Sequence, residues 1–425
     1  MLKTLQRAVK IPELRKKLMF TLLMLVVYRI GANITVPGID RQAIQAMMGG
    51  TVGGALGLYD LISGGSLNNF TLFALGVTPY ITASIVLQLL AVAIPSLEEI
   101  QKSGEEGQKK ISAWTRYLAV LLALMQAAVM SLGLFRSAFI STSVLSTVAV
   151  ILTLTAGTTF LMWIGEMITE RGVGNGTSML IFFGIVSRLP FDVRLTVAGV
   201  QAKNINIVQL IGFLIISVLI VVGVIIVLQG TRRIPVEYAK RVVGKNTYGG
   251  KQSHLPLKVN QAGVMPVILA SSLLSFPLFL TLFVKAASYQ AFVQKWFNPS
   301  HPPGMYLYAL LQFIMVIGFS YFYISITFKP DEVAENMKNS NGFIPGVRPG
   351  KATEVFIKRI LDRLTFAGAI FLAIIAALPT VLFYTTNVPF KFGGTSLLIV
   401  VGVAIETMKQ LESQTVMRSY QGFLK

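Results

Sequence analysis

The chain contains no cysteine and only two histidines, and these absences exclude several kinds of chemistry. Without cysteine there is no disulfide framework, thiol nucleophile or thiolate metal site. His254 and His301 fall in connections that we predict to lie on opposite sides of a membrane. We therefore expect neither a histidine-based metal site nor a histidine-based catalytic cluster.

Charged side chains are also scarce, because Asp, Glu, Lys and Arg make up 13% of the 425 residues and hydrophobic residues 54%. This is not the composition of a soluble globular protein. The apolar residues gather in long stretches, and a helix needs roughly 20 apolar residues to cross the hydrocarbon core. We predict ten membrane-spanning helices, at residues 18–36, 72–94, 114–135, 147–168, 177–198, 207–228, 263–284, 305–328, 364–384 and 393–408.

The positive charge is concentrated on one side of these predicted spans. Of the 37 Lys and Arg residues, 28 lie in the terminal segments, in every second connection or at adjoining helix ends. Such an excess marks the cytoplasmic side, so we predict that both termini are cytoplasmic. The net charge of +19 then belongs to loops that face an anionic leaflet or dock an acidic partner, and we expect no direct DNA binding.

Two of the predicted spans need a separate argument. The first follows a basic segment, residues 1–17, as a signal peptide would, but no small-residue cleavage site follows it and we predict a retained helix. The fifth is interrupted by Arg188, Asp192 and Arg194. Without it the two most basic loops would move outside, against the charge rule, so we keep it.

Residues 49–70 differ from every other segment because they are rich in glycine and too short and polar to cross the membrane. They lead directly into an apolar helix that we expect to start near Thr71. Non-helical backbone at membrane depth is tolerated only where protein encloses it. We interpret the stretch as a short re-entrant helix that enters from outside, with an ordinary external loop as the alternative.

Two long cytoplasmic loops, residues 229–262 and 329–363, carry seven basic residues each. The first contains alternating Val and Tyr residues that predict a β-hairpin turning near Gly249–Gly250. The second contains the turn-rich string GFIPGVRPG at residues 342–350. Loops of this length and charge favour docking surfaces, although a solvated surface is the default interpretation.

The sequence offers no nucleophile–base constellation and no Walker-type phosphate loop. Gly172, Gly174 and Gly176 follow a predicted helix rather than a strand, so they indicate a turn and not a dinucleotide site. An ion-coupled carrier normally needs ionisable groups near the bilayer midplane, and the span interiors are almost free of them. A pore that lacks charges would have to seal by an apolar constriction. The residues that a solute carrier or an intramembrane enzyme would need are therefore not found in the predicted spans.

Seven collinear strings give the chain a specific resemblance to the SecY family of protein-conducting channels. They are YRIGANITVPGID, ISGGSL, FALGVTPYITASIVLQLL, FLMWIGEMITERGVGNG, HLPLKVNQAGVMPVILASS, GFIPGVRPG and VPFKFGGTSLLIVVGVAIE. The resemblance implies passage of unfolded, signal-bearing polypeptides across the membrane and sideways release of transmembrane segments into lipid. The polypeptide as substrate comes from the resemblance and not from the residues themselves.

The expected fold class is an all-α membrane protein whose ten helices form two inverted five-helix halves around a central pore, with a re-entrant plug helix. The inverted arrangement is an inference from the number of spans per half. The predicted divisions are a basic segment (1–17), an N-terminal half (18–198) with the plug at about 57–70, a C-terminal half (207–408) and a cytoplasmic tail (409–425).

The resemblance also implies roles for individual residues. A pore ring would comprise Val77, Ile81, Thr177, Ile181, Ile268 and Ile399, with Thr177 departing from the family's aliphatic choice. The plug would include Ile62, Ser63, Gly64, Gly65, Ser66 and Leu67, and the lateral gate Gln88, Gln126, Ser272 and Phe276.

The same resemblance implies partners but no cofactor, metal or catalytic residue. Arg348 would engage the motor ATPase SecA, with Pro345 and Pro349 fixing its turn, and Lys240, Arg241 and Lys245 would contact SecA or a ribosome. Subunits resembling SecE and SecG are expected beside the chain in a bacterial plasma membrane.

Overall fold

The structure, a computed structural model, describes residues 9–49, 60, 63–141, 143–202, 206–238, 241–243, 246–248, 252–280, 286–297, 303–386 and 394–422. Helices dominate these residues. They are α1 (Pro12–Gly31), α2 (Arg41–Gly49), α3 (Thr78–Ala93), α4 (Pro95–Lys102), α5 (Glu105–Val129), α6 (Val144–Arg171), α7 (Gly176–Gln201), α8 (Ile207–Gln229), α9 (Met265–Leu280), α10 (Ala287–Trp296), α11 (Gly304–Thr327), α12 (Pro330–Asn339), α13 (Lys351–Thr386) and α14 (Gly394–Gly422).

Each of the ten predicted spans coincides with one of these helices, in order α1, α3, α5, α6, α7, α8, α9, α11, α13 and α14. Five of them, α5, α6, α8, α11 and α13, are individually long and apolar enough to cross a membrane. The bent pair α3 and α4 meets the same criteria when taken together. The architecture is therefore that of an all-α membrane protein, as predicted.

The doubtful fifth span is a continuous helix, α7, in spite of its charges and of Pro190. Asn175 caps its first turn by accepting a hydrogen bond from the Ser178 amide at 3.1 Å. Arg188 and Asp192 are buried against each other on one face, with Nε and Oδ1 3.6 Å apart. Charges that face protein and not lipid are compatible with a membrane-spanning helix.

The helix expected to start near Thr71 starts later, at Thr78. Residues 63–77 form successive turns, and four residues in this range adopt positive φ values that a right-handed helix does not contain, namely Gly64 (67°), Gly65 (86°), Phe70 (45°) and Gly76 (59°). The helix begins only beyond Gly76, where Pro79 occupies its first turn and fixes a helical φ.

The two long basic loops fold together into one small sheet. Strand β1 (Thr231–Tyr238) pairs antiparallel with β4 (Gln252–Lys258), and β5 (Gly342–Phe343) from the second loop pairs with the other edge of β1. The predicted hairpin is correct, but its turn is not near Gly249–Gly250. The inner strands β2 (Arg241–Val243) and β3 (Asn246–Tyr248) form a separate two-stranded antiparallel sheet with Val243 opposite Asn246, so the chain has reversed direction before it reaches Gly249.

A separate apolar core holds this sheet to the helices beneath it. It combines side chains from β1 and β4 with side chains from α12, α13 and the 342–350 turn, namely Ile234, Val236, Leu257, Met337, Ile344, Ile357 and Ile360. The two loops therefore share one packed core and form a single unit, which we call the sheet subdomain.

We predict that Ile357→Ala loosens the sheet subdomain. Ile357 is 0% exposed, so its truncation should cost about 2–5 kcal/mol locally through lost burial and a residual cavity. Hydrogen exchange of the β1 and β4 amides should accelerate accordingly. Val355→Ala, two residues away and 49% exposed, is the matched control and should leave exchange unchanged. Equal exchange in both variants would contradict the shared core.

Candidate functional site

Five aliphatic side chains meet where helices from both predicted halves converge. Val77 and Ile81 from the start of α3, Ile181 and Ile185 from α7, and Ile399 from α14 are buried in one apolar cluster. Ile268 of α9 packs against the cluster while remaining partly exposed. We call these six residues the aliphatic ring. Five of them were predicted from the sequence.

Thr177, the remaining predicted member, lies in the first turn of α7, four residues before Ile181. This turn packs closely on α6, where a Cβ on Gly165 would lie 3.5 Å from the Thr177 hydroxyl. The sequence analysis did not include Ile185, which belongs to the same buried cluster and follows Ile181 by four residues on the same helix face. The i, i+4 spacing of two isoleucines was the available signal.

The ring residues carry no polar side-chain atom. A narrow constriction lined only by aliphatic groups excludes water, because water inside it loses hydrogen bonds without gaining replacements. Ions that keep their hydration shells are excluded for the same reason. The arrangement can therefore close a path through the membrane without a charged gate.

The predicted plug packs beside this ring. A Cβ added to Gly64 would lie 2.9 Å from the Gly184 Cα, so the two backbones are in direct contact. Ser63, Ser66 and Leu67 are buried, whereas Gly64 and Gly65 are half-buried. Ile62 lies outside the described residues. Gly184 immediately precedes Ile185 in α7, so the segment rests next to the ring.

Hydrogen bonds fix the plug to three neighbouring elements. Tyr28 of α1 donates its hydroxyl to the Ser63 carbonyl at 3.3 Å, and the Asn68 amide donates to Asp60 Oδ1 at 2.8 Å. Residues beyond the plug add two further bonds, from the Val36 amide to the Phe70 carbonyl and from the Leu72 amide to the Ile34 carbonyl. Asp60 also forms a buried ion pair with Arg188 of α7.

The predicted lateral-gate residues are distributed over three helices. Gln88 is exposed on α3, Gln126 is half-buried on α5, and Ser272 is half-buried on α9. Phe276 also belongs to α9. α3 packs on α5, and α9 packs on α11, which gives the two pairs that a gate would separate.

An ion pair that the sequence analysis did not predict links these two pairs on the predicted cytoplasmic side. Lys329, which follows α11, places Nζ 3.6 Å from Glu98 Oε1 of α4, the helix that follows α3. Both side chains remain more than one-third exposed. No sequence signal connects two single charges that lie so far apart in the chain.

Arg348 and its turn lie on the sheet subdomain. Arg348, Pro345 and Pro349 are exposed, and Gly346 (φ 80°) turns the chain between them. The Thr353 hydroxyl donates to the Arg348 carbonyl at 2.9 Å and thereby anchors the turn to α13. Arg241 begins β2, whereas Lys240 and Lys245 lie outside the described residues.

No group of three or more His, Asp or Glu side chains suited to a metal ion occurs within the part of the chain that the structure describes. His254 lies alone on β4, and His301 is outside that part.

Together these features define a class, namely a polytopic helical membrane protein whose helices pack around a central apolar cluster. The SecY family model matches residues 71–408. The protein translocase subunit SecY of Halalkalibacterium halodurans is 47% identical over 439 residues, covering 100% of both chains. The chain belongs to the SecY family, and it is a channel-forming translocase subunit, not an enzyme.

Solved structures share the fold at lower identity. A SecY structure in which the plug domain stabilises the closed channel and maintains a membrane seal matches with TM-score 0.68, 21% identity and 96% coverage of each chain. Sec61 in the canine ribosome–channel complex from the endoplasmic reticulum matches with TM-score 0.63, 21% identity and the same coverage. These likenesses describe the fold.

We predict that Gly64→Ala displaces the plug and raises the resting ion conductance of the channel. The new Cβ would meet the Gly184 backbone at 2.9 Å, and backbone cannot rotate away as a side chain can. Conductance in planar bilayers measures the effect.

Gly104→Ala is the control for Gly64→Ala. Gly104 also has a positive φ, 80°, so both variants carry backbone strain of about 1–3 kcal/mol, but nothing lies within 4 Å of a Cβ at Gly104. Gly104→Ala should leave conductance at its resting level. A leak of equal size in both variants would show that strain, and not the contact with α7, is responsible.

Proposed function

We propose that an unfolded polypeptide crosses the membrane in an extended form through the centre of the aliphatic ring. The observation that carries this proposal is the meeting of Ile81, Ile181, Ile185 and Ile399, from three helices, in one dry cluster. Aliphatic side chains can deform around any sequence because they make no directional bonds. The same side chains close on one another when the chain has passed.

The plug is proposed to close the outer side of this ring at rest. Its contacts to α1 and α7 support that role, as does the closed-state function of the plug domain in the SecY structural relative. Opening then requires that residues 60–70 leave α7. The displacement would expose the ring to the outer funnel.

The lateral gate is proposed to lie between the α3–α5 pair and the α9–α11 pair. Gln88, Gln126 and Ser272 are neutral polar groups, which hold membrane helices together weakly, by about 0.6–2 kcal/mol per hydrogen bond. Weak bonds suit a seam that must part for a hydrophobic segment. Release of such segments into lipid is the second proposed activity.

Energy is proposed to come from partners, since the sequence contains no nucleotide-binding loop. The exposed Arg348 presents a planar guanidinium suited to carboxylate or carbonyl acceptors on SecA. The ribosome is the proposed alternative partner, supported by the ribosome-bound Sec61 among the structural relatives. Arg241, with Lys240 and Lys245, belongs to the same proposed surface.

Further subunits resembling SecE and SecG are proposed to cover part of the apolar outer face. α8 supports this, because Val224 is its one buried residue and its mean hydropathy is high. The proposed location is the bacterial plasma membrane with both termini in the cytoplasm, in agreement with the distribution of Lys and Arg.

We predict that Ile81→Asn weakens the seal of the aliphatic ring. A buried amide lowers the barrier to wetting, so resting ion conductance should rise and the channel should accept defective signal peptides. Ile81→Leu keeps the volume and the apolar character, costs less than about 1.5 kcal/mol, and should behave as the unaltered chain. The proposed seal is refuted if Ile81→Asn conducts no more than Ile81→Leu.

We predict that Arg348→Glu abolishes SecA-driven transport. Purified chain with SecE and SecA in liposomes should protect a secretory precursor from protease in the presence of ATP. Arg348→Glu should remove this protection because the charge that meets the acceptor is reversed.

Lys338→Glu makes the same charge change on α12 of the sheet subdomain, at another exposed position, and should retain protection. Both variants should insert into the membrane normally. Full protection by Arg348→Glu would overturn the assignment of this residue.

A further inference from the structure

Arg188 lies between two carboxylates that belong to different parts of the chain. Asp60 of the plug pairs with its Nη1, and Asp192, one turn further along α7, places Oδ1 3.6 Å from its Nε. All three residues are buried, with exposures of 1% for Asp60, 8% for Arg188 and 1% for Asp192. A buried guanidinium without a carboxylate would be strongly destabilising.

The two carboxylates differ in what happens to them when the plug moves. Asp60 moves with the plug, because its carbonyl accepts from the Gly65 amide and the Ser63 hydroxyl and its Oδ1 accepts from the Asn68 amide. Asp192 is held by α7 at the i+4 position from Arg188 and stays beside it. Departure of the plug therefore leaves Arg188 with Asp192.

We infer that Arg188 is a shared cation whose transfer from Asp60 to Asp192 sets the threshold for displacing the plug, and hence the stringency with which the channel selects its substrates. Asp60 stabilises the closed state by pairing with Arg188. Asp192 stabilises the open state by compensating Arg188 once Asp60 has entered the aqueous funnel. The inference rests on the proposed role of residues 60–70 as the plug.

If the inference is correct, neutralising Asp60 and neutralising Asp192 should change the ease of plug displacement in opposite directions. Asp60→Asn removes the closed-state partner and should ease displacement. Asp192→Asn removes the open-state partner and should hinder it. A group that merely supported the fold would give both substitutions the same sign.

The absence of native cysteine allows a direct measurement of plug position. Ser66 is buried in the plug, so S66C in the assembled channel should react with a membrane-impermeant maleimide from the outer side only when the plug has moved. We expect D60N to raise the labelling rate roughly tenfold or more and D192N to lower it by a similar factor. D60E, which keeps the charge, should restore part of the slow rate.

Asp40→Asn is the matched control, because Asp40 is an exposed carboxylate whose capping bond to the Gln42 amide an asparagine can also make. D40N should not alter the labelling of S66C. Signal selectivity in the liposome assay should follow labelling, with D60N accepting defective signal peptides and D192N rejecting weak ones. Thermal unfolding of each purified variant separates displacement from loss of the fold.

Two results would overturn the inference: labelling shifts of the same sign in D60N and D192N, or no shift in either. Failure of the proposed plug itself would look different. In that case S66C in the otherwise unaltered chain would label at one rate in the idle channel and in a channel filled with an arrested precursor.

Discussion

Backbone without regular secondary structure can persist at membrane depth only if protein satisfies its polar groups, and this constraint governs the whole closed arrangement. Residues 63–77 obey it partly through their own turns, such as the bond from the Thr71 amide to the Ser66 carbonyl at 2.9 Å. They obey it also through bonds to the chain that follows α1, including the Leu72 amide to the Ile34 carbonyl at 2.8 Å. Some of these bonds are made to neighbouring segments. A partial displacement of residues 63–77 would therefore leave buried backbone groups without hydrogen-bond partners and cost free energy.

One face of α7 joins the ring and the plug. Ile181 and Ile185 contribute to the aliphatic ring, Gly184 touches Gly64 of the plug, and Arg188 pairs with Asp60. These positions follow the i, i+3, i+4, i+7 spacing of a single helical face. Any tilt or shift of α7 would therefore change the packing of the aliphatic ring and the contacts of the plug segment together.

The sequence was sufficient for the number of spans and their approximate bounds, because apolar length and the distribution of Lys and Arg are properties of single segments. It was not sufficient for the ring, since an isoleucine that faces lipid and one that faces a pore look alike, and the family resemblance supplied the predicted members. Arg188 and Asp192 appeared as interruptions of a span because Asp60, the second carboxylate beside Arg188, lies 128 residues from Arg188 in the sequence. The strand Gly342–Phe343 was too short to be seen without its partner β1.

The contacts that would resist separation of the helices differ in strength between the two predicted sides of the membrane. On the cytoplasmic side the two gate pairs are linked by Glu98 and Lys329, an ion pair that is more than one-third exposed and thus worth at most about 1 kcal/mol. On the outer side the plug is held by a buried ion pair, a glycine–glycine backbone contact and the Tyr28 hydroxyl. The stronger restraint therefore lies at α7, because separating a buried ion pair costs more free energy than separating an exposed one.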